Sequence, residues 1–207
     1  MAHFSNFPIC WMFLLLLGRS EHFIHPVCPF TDSECDSGCE IQEDSFRNAG
    51  KNPKSCWIQS LDQKFLVFKA PGNLEFESRT LIEQKEPDST FSIQIYNDTN
   101  ISGRQPVMLN VANDGKKLTV TCQENKEVSA EEMDPNGLNM INGAGHKAIF
   151  RWQQSNPGKY MFESTLFPGF FLALEEADAC LHKLVLRRVA RDEVDESAMF
   201  MLTTCSS

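Results

Sequence analysis

Cys180 and His182 stand two positions apart, a spacing that puts a thiol and an imidazole on one face of a strand. Such a pair begins a nucleophilic centre, but a working one needs a third group to orient the base, and the sequence offers none. Cys35-x-x-x-Cys39 supplies half of a zinc site, with no Cys-x-x-Cys or His-x-x-x-His to complete it. There is no Gly-rich phosphate loop, no Gly-x-Ser-x-Gly and no metal-spaced histidine pair. No catalytic residue, cofactor or metal is therefore expected.

Other reactive stretches are targets rather than agents. Asn97-Asp98-Thr99 and Asn100-Ile101-Ser102 are glycosylation sequons, usable at Asn97 and Asn100 only if the chain passes through the secretory pathway. Asp192-Glu193-Val194-Asp195 spells a sequence that executioner caspases cut, and it equally fits an acidic loop between the last two strands. Lys183, Arg187, Arg188 and Arg191 form a small basic group consistent with a solvated strand edge.

The net charge of -9 argues against a nucleic-acid or anionic-membrane partner, which would demand a basic patch. With 42% hydrophobic and 23% charged residues, the 207-residue chain has enough apolar side chains for one core. A monomer of one domain plus an extension is expected. The acidity is concentrated at one end: seven of the 28 carboxylates, and of the 19 basic side chains only Arg19, precede residue 45.

That end begins with the apolar run Ile9 to Gly18, too short to span a bilayer, which needs about 20 residues, so no stable membrane insertion is expected. Two readings stand. Its length and Gly18-Arg19-Ser20 suit a signal-peptide core and cleavage region over 9–20, whereas residues 1–8 lack the usual Lys or Arg and suit a propeptide patch. Residues 19 to 56 show neither helical nor strand periodicity and read as an extension.

From Cys56 onward alternation takes over. Cys56 to Ser60, Lys64 to Lys69 and Asn73 to Glu77 read as strands separated by Asp62-Gln63 and Pro71-Gly72 turns. Phe91, Ile93 and Ile95 share a face, as do Val107, Leu109 and Val111, then Leu118, Val120 and Cys122 beyond the Asn113-Asp114-Gly115 turn. Asp134 to His146, with its Pro, Gly and Asn content, reads as a surface loop. Tyr160 to Leu174 is a hairpin folded at Pro168-Gly169. About a dozen strands with no amphipathic helix imply an all-β sandwich or barrel. Three similar strand-turn-strand units, starting near Gln63, Gln105 and Gly158, suggest a pseudo-threefold closed structure.

Several of these stretches resemble the interleukin-1 cytokine family, and their order is most similar to its interleukin-18 branch. They are Asp62-Gln63 before FLVF, STFSIQIYNDT at Ser89 to Thr99, ENK from Glu124, FES at Phe162 to Ser164, FFLALEE at Phe170 to Glu176, and KLVLRR followed by an acidic loop and MF at Phe200. The resemblance runs from about Trp57 to Phe200. It implies a β-trefoil of about twelve strands over residues 45–207, preceded by a disordered propeptide at residues 1–44. It also implies a secreted pro-inflammatory cytokine that brings together two immunoglobulin-domain receptor subunits, with interferon-γ production as the usual outcome. A receptor antagonist of the same family, exported by a signal peptide, is the alternative.

The resemblance further implies a precursor held in the cytoplasm and cut by an inflammatory caspase. Ile41-Gln42-Glu43-Asp44 followed by Ser45 offers that cut, with Asp32 and Asp36 as competing sites. Asp62 and Lys126 match receptor-facing positions, and Ile58 and Glu131 stand where the family pattern has basic residues. The implied partners are the receptor pair, the processing caspase and a soluble binding protein. The residues alone also allow Asp62 to be a plain turn residue and Lys126 a solvated strand lysine. Cys56, Cys122, Cys180 and Cys205 allow three full disulfide pairings.

Overall fold

A computed structural model describes residues 44–99, 103–190 and 193–205. The apolar run at 9–20, the cysteines at 10, 28, 35 and 39, and residues 1–43 of the expected propeptide lie outside them, as do Asn100, Arg191 and Asp192. Fourteen strands form: β1 (Ser45–Asn48), β2 (Lys54–Ser60), β3 (Phe65–Lys69), β4 (Asn73–Glu77), β5 (Phe91–Asp98), β6 (Gln105–Asn113), β7 (Lys116–Cys122), β8 (Val128–Glu132), β9 (Met140–Asn142), β10 (Phe150–Asn156), β11 (Lys159–Ser164), β12 (Phe170–Glu176), β13 (His182–Arg188) and β14 (Phe200–Thr204). The described helical segments are single turns of the 3₁₀ type.

Six of these strands close on themselves through antiparallel pairs: β2 with β5, β5 with β6, β6 with β10, β10 with β11, β11 with β14, and β14 back to β2. Closure leaves this barrel without an open edge. The other six form the hairpins β3–β4, β7–β8 and β12–β13. The hairpins meet one another: β13 pairs β4, and the Ala130 N–H of β8 donates to Gly72 O at 2.9 Å. Barrel strand, hairpin, barrel strand recurs three times, with units starting at Lys54, Gln105 and Lys159. This is a β-trefoil of twelve strands, with β1 and β9 added.

The expected threefold pattern is present, but its first unit was read one strand out of phase. The segments starting near Gln105 and Gly158 each join a barrel strand to a hairpin strand, whereas the one starting near Gln63 is the hairpin β3–β4 itself. A Gly-containing turn between apolar strands marks both junctions alike, so the pattern does not separate them. At β6–β7 both Asp114 (φ 48°) and Gly115 (φ 74°) lie in the left-handed region, which an Asp-Gly hairpin turn requires.

The main core fills the barrel with side chains from every unit, among them Ile58, Leu66, Phe91, Leu109, Phe150, Phe162, Leu172 and Phe200. Phe76 stacks on Phe200 at 5.7 Å between ring centres, and Phe162 lies 6.2 Å from Phe200. In the β11–β12 hairpin both faces are buried. Phe162 and Leu172 face the main core, while Met161 and Phe171 pack with Val189, Ala198 and Met199, because the connection between β13 and β14 folds over the outer face.

Two sequence expectations need correction. Residues 45–48 were read as part of an unstructured extension, yet they form β1, which lies between β5 and β9. Asp134 to His146 was read as loop throughout, yet it contains β9. Both strands are too short for alternation to register. They are held by Phe46 and Ile141, which join Tyr96, Met108, Ala148 and Ile149 in a second apolar cluster.

Candidate functional site

The bond between Asp44 and Ser45 stands immediately before β1. The Asp44 carbonyl accepts from the Gly143 N–H at 2.7 Å, and the Ser45 N–H donates to Thr99 Oγ1 at 3.1 Å. In the ladder, Arg47 lies opposite Asn97 and Met140, and Ser45 opposite Asn142. Side chains alternate across a strand, so Arg47, Asn97 and Met140 share the outer face with Ser45, Thr99 and Asn142, while Phe46 and Ile141 point inward. The six outer residues, with Asp98, line an open groove of about 670 Å³.

Asp62 occupies the turn between β2 and β3, where Gln63 takes a positive φ of 64°. Its carboxylate accepts from Ser60 Oγ at 2.5 Å and from Lys64 Nζ at 2.5 Å, while its side chain stays about half exposed. Partial burial pulls its pKa upward, but the hydrogen bonds from Lys64 and Ser60 and the lysine charge outweigh that and hold it below the ordinary carboxylate value. Lys64 Nζ also lies 3.0 Å from His182 Nε2 on β13. Asp62 is thus both the turn residue that composition suggests and a fixed, half-exposed negative charge.

Lys126 sits not in a strand but in the turn before β8, at φ 67°, its N–H bonded to Gln123 O at 2.8 Å. Its ammonium stands 4.3 Å above the centre of the Phe170 ring and 5.9 Å from that of Phe167. The ring faces attract the cation and fix its position. Lys126 borders a groove of about 420 Å³ whose walls include Glu75, Val128, Lys183 and Val185. No printed bond joins Asp62 to Lys126; β13 is the element common to both, through His182 on one side and Lys183 on the other. Lys64, His182 and the Phe167–Phe170 seat escaped sequence reasoning, since Lys64 and His182 are 118 residues apart and nothing local marks their meeting.

Residues 80–199 match the family described as Interleukin-1 / 18. The chain belongs to that family. Among its relatives, interleukin-18 of Mus musculus is 40% identical over 133 residues, covering 62% of this chain and 65% of the mouse protein. Interleukin-18 of Capra hircus is 32% identical over 167 residues, covering 78% and 81%. Chicken interleukin-1 beta has the same fold, with a TM-score of 0.55 at 22% identity over 76% of this chain and 99% of that one. This interleukin-1 family protein is therefore an interleukin-18-like cytokine and not an enzyme.

The remaining sequence candidates fall into place on this cytokine domain. Ile58 is 2% exposed and packs in the main core, so its departure from the basic pattern alters no surface. Glu131 is on the surface, ion-paired with Lys147. Asp195 caps a 3₁₀ turn between β13 and β14, accepting from Ser197 N at 2.9 Å and Ser197 Oγ at 2.6 Å, with Val194 exposed beside it. Arg187 pairs with Glu175 at 3.5 Å across the β12–β13 hairpin. Cys56, Cys122, Cys180 and Cys205 are all free thiols. Burial pushes Cys56 up to about 12 and Cys122 up to about 11, so neither supplies a thiolate. Cys180 is exposed, and His182 is taken up with Lys64 and Glu176.

Proposed function

We propose that this chain is a secreted pro-inflammatory cytokine of the interleukin-18 type, made as a precursor, matured by caspase cleavage after Asp44, and active by bringing together two immunoglobulin-domain receptor subunits. The observation that carries the maturation step is the position of Asp44. It is the last residue before β1, so a cut there separates the acidic segment from all fourteen strands and leaves the fold whole. Mass spectrometry of precursor treated with an inflammatory caspase tests it. A new N-terminus at Ser45, lost in Asp44→Ala, supports the assignment; an Asp44→Ala chain cut as fast as wild type refutes it.

Receptor recognition is assigned to Asp62 and Lys126. Each is a charge held in place, one by Ser60 and Lys64 and the other by two phenylalanine rings. Pre-positioned charges steer association and discriminate among partners more than they add affinity. Export before cutting, a cytoplasmic precursor pool and capture by a soluble binding protein belong to the same reading. The acidic segment that precedes β1 gives the precursor a different surface charge from the mature domain.

A further inference from the structure

We infer that Asn97 is an N-glycan acceptor and that a glycan there shields the Asp44–Ser45 bond, so that glycosylation and maturation exclude each other on one molecule. The inference rests on the proposed cut after Asp44 and adds a control on it. Asn97 is exposed, at the outer face of β5, with Asp98 and Thr99 completing the sequon. Its partner across the ladder is Arg47, and the sequon's own hydroxyl, Thr99 Oγ1, accepts the Ser45 N–H at 3.1 Å. Arg47 is two residues from Ser45 along β1, about 7 Å at ~3.3 Å per residue. The acceptor and the scissile bond therefore border one groove, shared by Asn97, Arg47, Ser45 and Thr99. A branched, hydrated oligosaccharide on Asn97 occupies the space a protease needs to take Asp44 and Ser45 into its cleft in extended form.

The attachment itself is ordinary group transfer. The Asn97 carboxamide nitrogen bonds to the anomeric carbon of a lipid-pyrophosphate-linked oligosaccharide, loses one proton, and the lipid pyrophosphate departs as its C–O bond breaks. In the folded chain the Asn97 backbone lies in the β1–β5 ladder and Thr99 Oγ1 is engaged by Ser45, so transfer precedes strand pairing. Proteolysis adds water across the Asp44–Ser45 amide, leaving a carboxylate and a Ser45 ammonium.

The test uses the full chain carrying Asn100→Gln, directed through the secretory pathway of cultured cells by a fused leader and purified from the medium. Half is treated with an endoglycosidase that leaves a single sugar, and an Asn97→Gln partner is made alongside. Mass spectrometry reads occupancy, and each form is then incubated with an inflammatory caspase. The expected result is a glycan at Asn97 and cutting at Asp44 at least tenfold slower in the glycosylated form than in the trimmed and Asn97→Gln forms. An unmodified Asn97, or equal rates with and without the glycan, overturns the inference. Absence of cutting at Asp44 even in Asn97→Gln removes the maturation reading and the shielding with it, while occupancy is still read separately by mass.

Discussion

Truncation of Phe46 to alanine is expected to free β1 and speed cleavage at Asp44 while leaving the barrel folded. Phe46 is 1% exposed and is the one buried side chain of this four-residue strand. It packs with Tyr96, Met108, Ile141 and Ile149, apart from the main core. A buried aromatic removes about 150–250 Å² from water, which at ~25 cal/mol per Å² gives roughly 4–6 kcal/mol; Phe→Ala changes in cores cost about 3–5 kcal/mol. Taking about 3 kcal/mol, the equilibrium for detaching β1 rises roughly hundredfold at ~1.4 kcal/mol per decade. The protease must pull Asp44 and Ser45 away from Gly143 and Thr99, so when opening is fast the cutting rate follows the open population. A time course by mass spectrometry should therefore show Phe46→Ala cut up to roughly a hundredfold faster. Amide exchange across β1 should rise in parallel, with the barrel strands still protected. Faster exchange in β1 with an unchanged cutting rate would show that the bond is reached without strand release and would refute the reasoning.

Charge reversal at both recognition positions, Asp62→Lys with Lys126→Glu, should slow receptor association by roughly tenfold in surface plasmon resonance, with a weaker salt dependence; unchanged kinetics would place the epitope elsewhere. The Lys126 change also removes its contact with Phe170, about 0.5–1 kcal/mol, which a denaturant titration reads separately. His146 is held neutral: burial and then the Lys147 charge lower its pKa, and its Nδ1 accepts the Ala148 N–H at 3.2 Å. A lowered histidine pKa means the unfolded chain binds the proton first, so this contribution is complete above the ordinary value near 6.5 and is lost as pH falls through the folded value. His146→Asn, which keeps an acceptor and removes the titration, should flatten the stability profile below about pH 6.5 in urea unfolding. Gly145→Ala should cost about 1–3 kcal/mol, because a Cβ there would meet Thr165 O at 2.7 Å; a urea midpoint equal to wild type would mean that the Thr165 backbone yields freely.

The long barrel strands were legible because burial on one face imposes alternation. Phe91 and Ile93 behave that way, and the turn chemistry of Asp114-Gly115 fixes where the chain reverses. The phase of the first repeat was not legible, since Pro71-Gly72 and Pro168-Gly169 look alike in sequence although one closes a hairpin of the cap and the other joins barrel to cap. Strand β1 was missed because one buried residue, Phe46, carries no period. At the recognition surface Asp62 and Lys126 were legible as charges. Their fixing was not, because it comes from groups remote in sequence: His182 beside Lys64, and Phe170 beneath Lys126. Ile58 shows the converse, a position taken for surface that alternation across β2 turns into the core.

The most direct test of the central claim compares purified Ser45–Ser207 with the full-length chain on reporter cells bearing an interleukin-18-type receptor pair. The account predicts signalling from the shorter protein and none from the precursor until it is cut after Asp44. Silence from both forms, with the short form blocking a known agonist, would instead identify a receptor antagonist and contradict the proposed function.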